Sequence, residues 1–436
     1  MSGAASAGWR RKACLACTRA KRQCTKATPV CRRCADKGLI CQYPFVKQVS
    51  AAIEPGPAGR PIELESVHAT GGGTPVAWQE TPESQLNEVD YLDLSPDTLL
   101  VPELGPEVLQ QELLKPPSDP NDRWFLSPES FVESHIVLDP NDVGPVDESE
   151  LRRYTEDVQA WLRQWAAEGH CPLIHRQLYR AGPMPHTIRG AYTALATYYH
   201  AKTARNQDVI RRIIDDNAAQ LVDDEQQADG STGTMPPRPR DTMAHLARTQ
   251  ALLAYQVVRF FDGDIRMRAE AEKHIPVLHS WADELLRAAA SDLNCEGGHG
   301  TTALNMSILT ASSDPESISW RLWIVAECVR RTWLTAGILQ GVYLTMRQGW
   351  AGCPGGLCYT ARKGVWDADT AFAWSRACRS RSPLFVPSMC TSHLLTVARP
   401  CEVDEFASAM LLTHDPEKLK RWVFEAGGAA ERMVGP

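Results

Sequence analysis

The chain has 436 residues, 43% of them hydrophobic, and a formal net charge of -7 at pH 7. That length predicts two or three domains with material for one large core, and no apolar run approaches the roughly 18 residues of a membrane span, so a membrane partner is not expected. The net charge hides a polarity: residues 8–50 hold about eleven Lys or Arg against one acid, Asp36, and residues 51–150 hold about 21 acids against 3 basic residues. Such asymmetry points to nucleic-acid contact by the head.

The head carries six of the cysteines, Cys14, Cys17, Cys24, Cys31, Cys34 and Cys41. Their spacing, C-x2-C-x6-C-x6-C-x2-C-x6-C, is one unit written twice. A C-x2-C pair lets two thiolates grip one metal from a single turn, and zinc takes four such ligands in a tetrahedron. Six thiolates fill two tetrahedral sites only if two are shared, and the repeat singles out the first cysteine of each half. One zinc then takes Cys14, Cys17, Cys24 and Cys31, and the other takes Cys31, Cys34, Cys41 and Cys14. A disulfide framework and a one-zinc ribbon compete with this. The basic surroundings and the absence of a secretory pattern weigh against the first. The doubled spacing, which leaves no spare cysteine, weighs against the second. The other eight cysteines, from Cys171 to Cys401, show no pairing periodicity and suit a reducing compartment.

These residues resemble the fungal zinc binuclear cluster family, the Zn2Cys6 DNA-binding domain of the yeast galactose regulator and its relatives. Lys21 lies between the second and third cysteines, Pro29 two residues before the fourth, and Tyr43 two after the last. The resemblance covers about a tenth of the chain. It implies a nuclear transcription factor whose short helix, here Cys17 to Gln23, enters the major groove of DNA at CGG-type sites. It also implies that Lys21 meets guanine, whose N7 and O6 accept from lysine. Ala20 and Thr18 depart from the basic residues common at their positions, and the flanking Arg19 and Arg22 compensate. Arg10, Arg11 and Lys12 precede the first cysteine and suit phosphate contacts.

Residues 46–123 read as a disordered Pro/Gly-rich and acidic linker. Pro55, Pro57, Pro61 and Gly71 to Gly73 mark its flexible first part. Acid and aliphatic residues alternate from Glu88 to Leu94 and around Leu99 to Leu104, a composition that suits either an activation segment for coactivators or a solvating spacer. No sustained heptad occurs between residues 45 and 120. Monomeric binding is one expectation, and a homodimer through the later domain is another.

From residue 124 to 436 the pattern is that of a large all-α domain. Asp147 and Glu150 resemble a capping box before a helix with Leu151, Tyr154, Val158, Trp161, Leu162 and Trp165 on one face. Further helices are expected over Pro185–Ala204, Val209–Val222, Thr242–Phe261, Ile275–Ala290 and Ser319–Leu344, with a loop over 225–240 and a helix-ending turn at Asp262-Gly263-Asp264. The stretches from Cys171 to Tyr179, Arg330 to Leu334 and Cys353 to Cys358, with Trp366-Asp367, resemble the fungal-specific transcription factor regulatory domain. Members often regulate secondary-metabolite biosynthetic gene clusters.

No phosphate loop, nucleophile elbow or metalloprotease motif occurs, so no catalytic residue and no enzyme is expected. His170, Cys171 and His175 are read as packing before a metal or nucleophile site. Cys353 and Cys358 around Pro354-Gly355-Gly356 are read as a tight turn before a redox pair. The rival of a DNA-reading factor is a zinc-dependent co-regulator or scaffold that does not touch bases.

Overall fold

A computed structural model describes residues 22, 24–25, 32–37, 123–135, 148–180, 182–230, 240–293, 312–411 and 418–425. The chain divides into two compact units, Met1–Glu83 and Ser84–Pro436.

In the first unit the described residues form one short helix, α1 (Arg32–Lys37), after irregular backbone at Arg22, Cys24 and Thr25. The backbone N–H of Arg32 donates to Thr25 Oγ1 at 3.0 Å, which supplies a partner for an otherwise open amide at the start of α1. Arg22 is not helical, so the helix expected over Cys17–Gln23 does not include that position; the rest of it lies outside the described residues.

The second unit is built from α2 (Glu148–Glu168), α3 (His186–Ala201), α4 (Gln207–Gly230), α5 (Thr242–Phe261), α6 (Ile265–Lys273), α7 (Ile275–Leu293) and α8 (Pro315–Gln348). Shorter helices follow: α9 (Ala371–Ser380), α10 (Leu394–Val397) and α11 (Glu405–Leu411). The all-α expectation holds, with one small addition. Strands β1 (Cys358–Thr360) and β2 (Phe385–Pro387) pair antiparallel, Tyr359 opposite Val386. Three residues each is too short to show alternation in sequence.

Helices α5 and α8 form the centre. α5 packs against α2, α3, α4, α6, α7 and α8, and α8 against α7, α9 and α2 as well. Burial on all sides follows, as expected of a helix surrounded by others: in α5 even Arg248, Gln250, Gln256 and Arg259 are buried. The surrounding helices are amphipathic. α2 buries Tyr154, Val158, Trp161, Leu162 and Trp165, the stripe expected from its period; the Asp147 half of its capping box lies outside the described residues.

Helix ends follow local chemistry. Asp241, Asp264, Asp314 and Thr370 accept from the backbone N–H three residues on and start α5, α6, α8 and α9. Pro315 opens α8, and Gly349 closes it at φ 82°. Gly263, at φ 96°, makes the turn between α5 and α6. Residues 225–230, expected to be loop, are helical instead. Glu225, Gln226, Gln227 and Ala228 are good helix formers, and the absence of an apolar stripe there had no bearing on a solvated last turn.

Candidate nucleic-acid interface

In the head the described residues give a partial view of the site. Arg22 is exposed, Cys24 is half-buried and makes no disulfide, and Cys34 lies within α1. Cys14, Cys17, Cys31 and Cys41, and with them Lys21, Arg10, Arg11, Lys12 and Arg19, lie outside the described residues. The bond from Arg32 to Thr25 is informative. It ties the residue after Cys24 to the residue after Cys31, two cysteines that the shared-ligand scheme assigns to one zinc. A soft, all-thiolate donor set whose halves are joined in this way fits zinc. α1 also brings forward two exposed cations the sequence reading had not singled out, Arg32 and Lys37. Their signal was only their membership of the basic block.

In the helical unit, the residues with chemical potential turn out to be engaged in packing. Cys171 and Ile174 close a tight bridge. Burial pushes the Cys171 thiol up to about 12, which makes it inert as a nucleophile at neutral pH. Burial, helped by Arg176 and Arg331, pushes His175 down to about 3. The ring is therefore neutral, and it meets Trp320, Trp323 and Trp366 edge-on, with centroids 6.1, 6.1 and 5.1 Å away. His170 is half-exposed and lines, with Cys171 but without His175, the cleft beside Arg331; burial and Arg176 lower it. Cys358 opens β1, and burial pushes it up to about 11. Among the described residues no group of three or more His, Cys, Asp or Glu is placed to hold a metal ion, and no helix is long and apolar enough to cross a membrane.

The Arg330-Arg331 pair anchors the unit's polar centre. Glu327, fully buried, accepts from Arg330 Nη2 at 2.8 Å and Arg331 Nε at 3.0 Å. It also accepts from the Thr360 backbone N–H at 2.9 Å and its hydroxyl at 3.1 Å. Arg330 reaches the Phe125 carbonyl at 2.9 Å. Arg331 reaches the carbonyls of Pro172 at 3.1 Å and Thr360 at 2.9 Å, and the carboxylate of Asp404. It lies 3.9 Å over the Trp366 ring. One helix turn of α8 thus holds the segments at Phe125, Pro172, Thr360 and Asp404 together. A cleft of about 430 Å³ opens beside it, lined by Arg331, Lys363, Trp366, Asp367, Asp404 and Glu405 among others.

Comparison with known proteins bears on both units. Residues 12–48 match the family described as the fungal Zn(2)-Cys(6) binuclear cluster domain, and a domain of this kind binds two zinc ions. The chain is 25% identical over 417 residues to a Penicillium aethiopicum protein named transcription factor gsfR2, covering 92% of each chain. No solved structure matches the chain.

Proposed function

We propose, from the premise that this chain is a fungal Zn2Cys6 DNA-binding transcription factor and not an enzyme, that its head reads CGG-type sites. In this reading residues 10–45 are the DNA-binding domain, 46–123 a linker and activation segment, and 124–436 the regulatory domain. The zinc ions are bridged by Cys14 and Cys31, with Cys17 and Cys24 completing one tetrahedron and Cys34 and Cys41 the other. Zinc supplies rigidity: it replaces a hydrophobic core that a head of about 36 residues is too small to build. Lys21 donates to guanine, while Arg10, Arg11, Lys12, Arg19 and Arg22 neutralise phosphates. Arg32 and Lys37, exposed on α1, join that phosphate-facing set.

The observation that carries this reading is the doubled cysteine unit inside a block of about eleven basic residues. The regulatory half recruits coactivators or joins a second copy, in the nucleus, at secondary-metabolite biosynthetic genes. That last step rests on the resemblance to fungal regulators alone.

A gel-shift series on the full chain tests base reading. Lys21→Ala is expected to cost about 1–3 kcal/mol on a CGG site and little on scrambled DNA, whereas Arg11→Ala should weaken both alike. Equal losses on both DNAs for Lys21→Ala would remove the base-reading role. Selection on random DNA that enriches no CGG would favour a co-regulator that leaves bases unread.

A further inference from the structure

The cleft beside Arg331 is walled by segments that lie far apart in the chain: α2 at Gln164, the tight turn at residues 170–172, α8 at Arg331, residues 363–367 and the start of α11. Its volume of about 430 Å³ suits a small organic molecule. The inner wall is apolar and firmly held. Trp366 and Phe406 are buried and clasp the Arg331 guanidinium, which lies 3.9 Å over the first ring and 4.7 Å over the second. Val403 and Pro172 line the cleft with them.

The charges around this cleft fall into two groups. Arg331 and Asp404 are engaged within the fold: Arg331 pairs with Glu327 and Asp404, and the second Asp404 oxygen accepts the Ala407 backbone N–H at 2.8 Å. Asp367, Glu405 and Lys363 form the other group. Among the described residues the Asp367 carboxylate accepts no hydrogen bond, and the Lys363 ammonium meets no acid. Glu405 Oε1 accepts from the buried Trp161 indole at 2.9 Å, which fixes the carboxylate at the cleft with Oε2 open. Elsewhere on this unit's surface such groups find each other: Arg379 meets Glu316 at 2.7 Å and Arg381 meets Glu402 at 2.5 Å. Burial raises the Glu405 carboxyl, and the negative charges of Asp157, Asp404 and Asp367 raise it further against the Trp161 bond. His170, lowered by burial and Arg176, contributes a neutral ring and no cation.

Solvated carboxylates need no partner. These two, however, line a cavity whose inner wall is aromatic, so a molecule whose apolar body reaches Trp366 brings its polar end to them. We propose that the cleft binds a small organic cation, an amine on an aromatic or compact aliphatic body, with the body against Trp366 and Val403 and the ammonium between Asp367 and Glu405. An anion would find one ammonium, Lys363, to recognise it and two carboxylates to repel it. The bound cation touches segments that only the folded unit brings together, so it stabilises that unit. This inference concerns the second unit alone and does not rest on the reading of DNA.

The test uses the zinc-loaded full chain and phenethylamine, with 2-phenylethanol and phenylacetate as neutral and anionic probes carrying the same ring. Saturation-transfer NMR titrations follow each. Phenethylamine should bind with a dissociation constant below about 10 mM, at least about fivefold more tightly than the alcohol or the acid. Asp367→Asn and Glu405→Gln should each weaken the amine about two- to fivefold and leave the alcohol unchanged; glutamine still accepts from Trp161, so the wall is kept. Lys363→Met should tighten the amine about twofold, a gain that a damaged fold does not produce. No amine binding up to about 10 mM, no preference over the alcohol or the acid, or an amine affinity that neither carboxylate substitution moves would each overturn the assignment.

Discussion

Replacing Glu327 by glutamine tests the account of the helical unit most sharply. The side chain is fully buried and both of its oxygens are spoken for, Oε1 by Arg331 Nε and the Thr360 N–H, Oε2 by Arg330 Nη2 and the Thr360 hydroxyl. Glutamine keeps the shape. It also turns one acceptor into an NH2 group that faces donors, and it leaves two buried guanidinium groups with Asp404 as the remaining carboxylate of the cluster. Breaking a buried pair from one side costs about 3–5 kcal/mol, because the stranded charge stays behind. At roughly 2 °C per kcal/mol for a large domain, the melting temperature should fall by about 6–10 °C. Thermal scans of the full chain by circular dichroism measure this. A double change, Glu327→Met with Arg330→Met, should lose less than the single change adjusted for packing, since the cation left without a carboxylate goes with it while Arg331 keeps Asp404. A Glu327→Gln chain melting within about 1 °C of the parent would refute the reasoning. pH adds a second reading. Burial pushes the Glu327 carboxyl up, but Arg330 and Arg331 outweigh it and hold it below the ordinary glutamate range. Its folded value lies below its unfolded one, so its contribution is complete above the ordinary range and is lost as pH falls through the depressed value. Burial raises Asp404 despite Arg331, which works in the opposite sense. Glu327 therefore contributes to the acid limb of stability, and glutamine should remove that contribution.

Asp262 offers a parallel case at the edge of α5. Its carboxylate is buried and accepts from Tyr198, Lys202 and Arg211. Asp262→Asn should cost about 1.5–3 kcal/mol in a urea melt, and an unchanged midpoint would deny the hub its role. Burial pushes Asp262 up and Lys202 and Tyr198 outweigh it, so its carboxyl is held low. That stability is present above the ordinary aspartate range and is lost as pH falls through the lowered value. For the head, exhaustive chelation should release two zinc ions per chain and abolish DNA binding while the far-UV melt of the helical unit persists. Binding that survives metal removal would count against a zinc-built head.

The head's chemistry was legible because it is local: two thiolates per turn, a repeated spacing and a charge block all sit within neighbouring residues. The α5 helix was legible to the residue, Thr242 to Phe261, because Asp241 caps one end and Asp262-Gly263 ends the other. The longer α8 was read short at both ends, as Ser319–Leu344 against Pro315–Gln348. Its middle is buried all round, so a one-sided apolar stripe is a poor guide to its limits. The first turn begins with the Asp314-Pro315 signal, and the last ends at Gly349; both were present in the sequence but lay beyond the apolar run. The Asp262-Gly263-Asp264 turn is a case where local chemistry sufficed, Asp262 ending α5 with its backbone N–H on the Val258 carbonyl and the Asp264 carboxylate starting α6.

The buried charges were not legible, and the reason is physical. Arg248, Arg259, Arg330 and Arg331 are four of the largest fully buried side chains, and an arginine is buried only when a carboxylate or carbonyl from elsewhere meets it. Arg259 finds Asp215 at 2.9 Å, Arg248 finds Glu225 at 3.3 Å, and Arg331 finds Asp404 across 73 residues. No spacing rule connects such partners. In sequence, Arg330-Arg331 is therefore indistinguishable from a solvated basic pair. The same holds for Ser134 and Gly356, which bridge across 222 residues. What a sequence can reveal is the cost of getting these pairings wrong. An unpaired arginine in this core is more damaging than a missing methyl group, so the arrangement of segments around α8 is fixed by the charges as well as by the apolar surface. Swapping the order of Glu327 and Arg331, which preserves composition and helix propensity, should therefore fail to fold as the parent does, because Thr360 and Asp404 would then present their acceptors and donors to the wrong group.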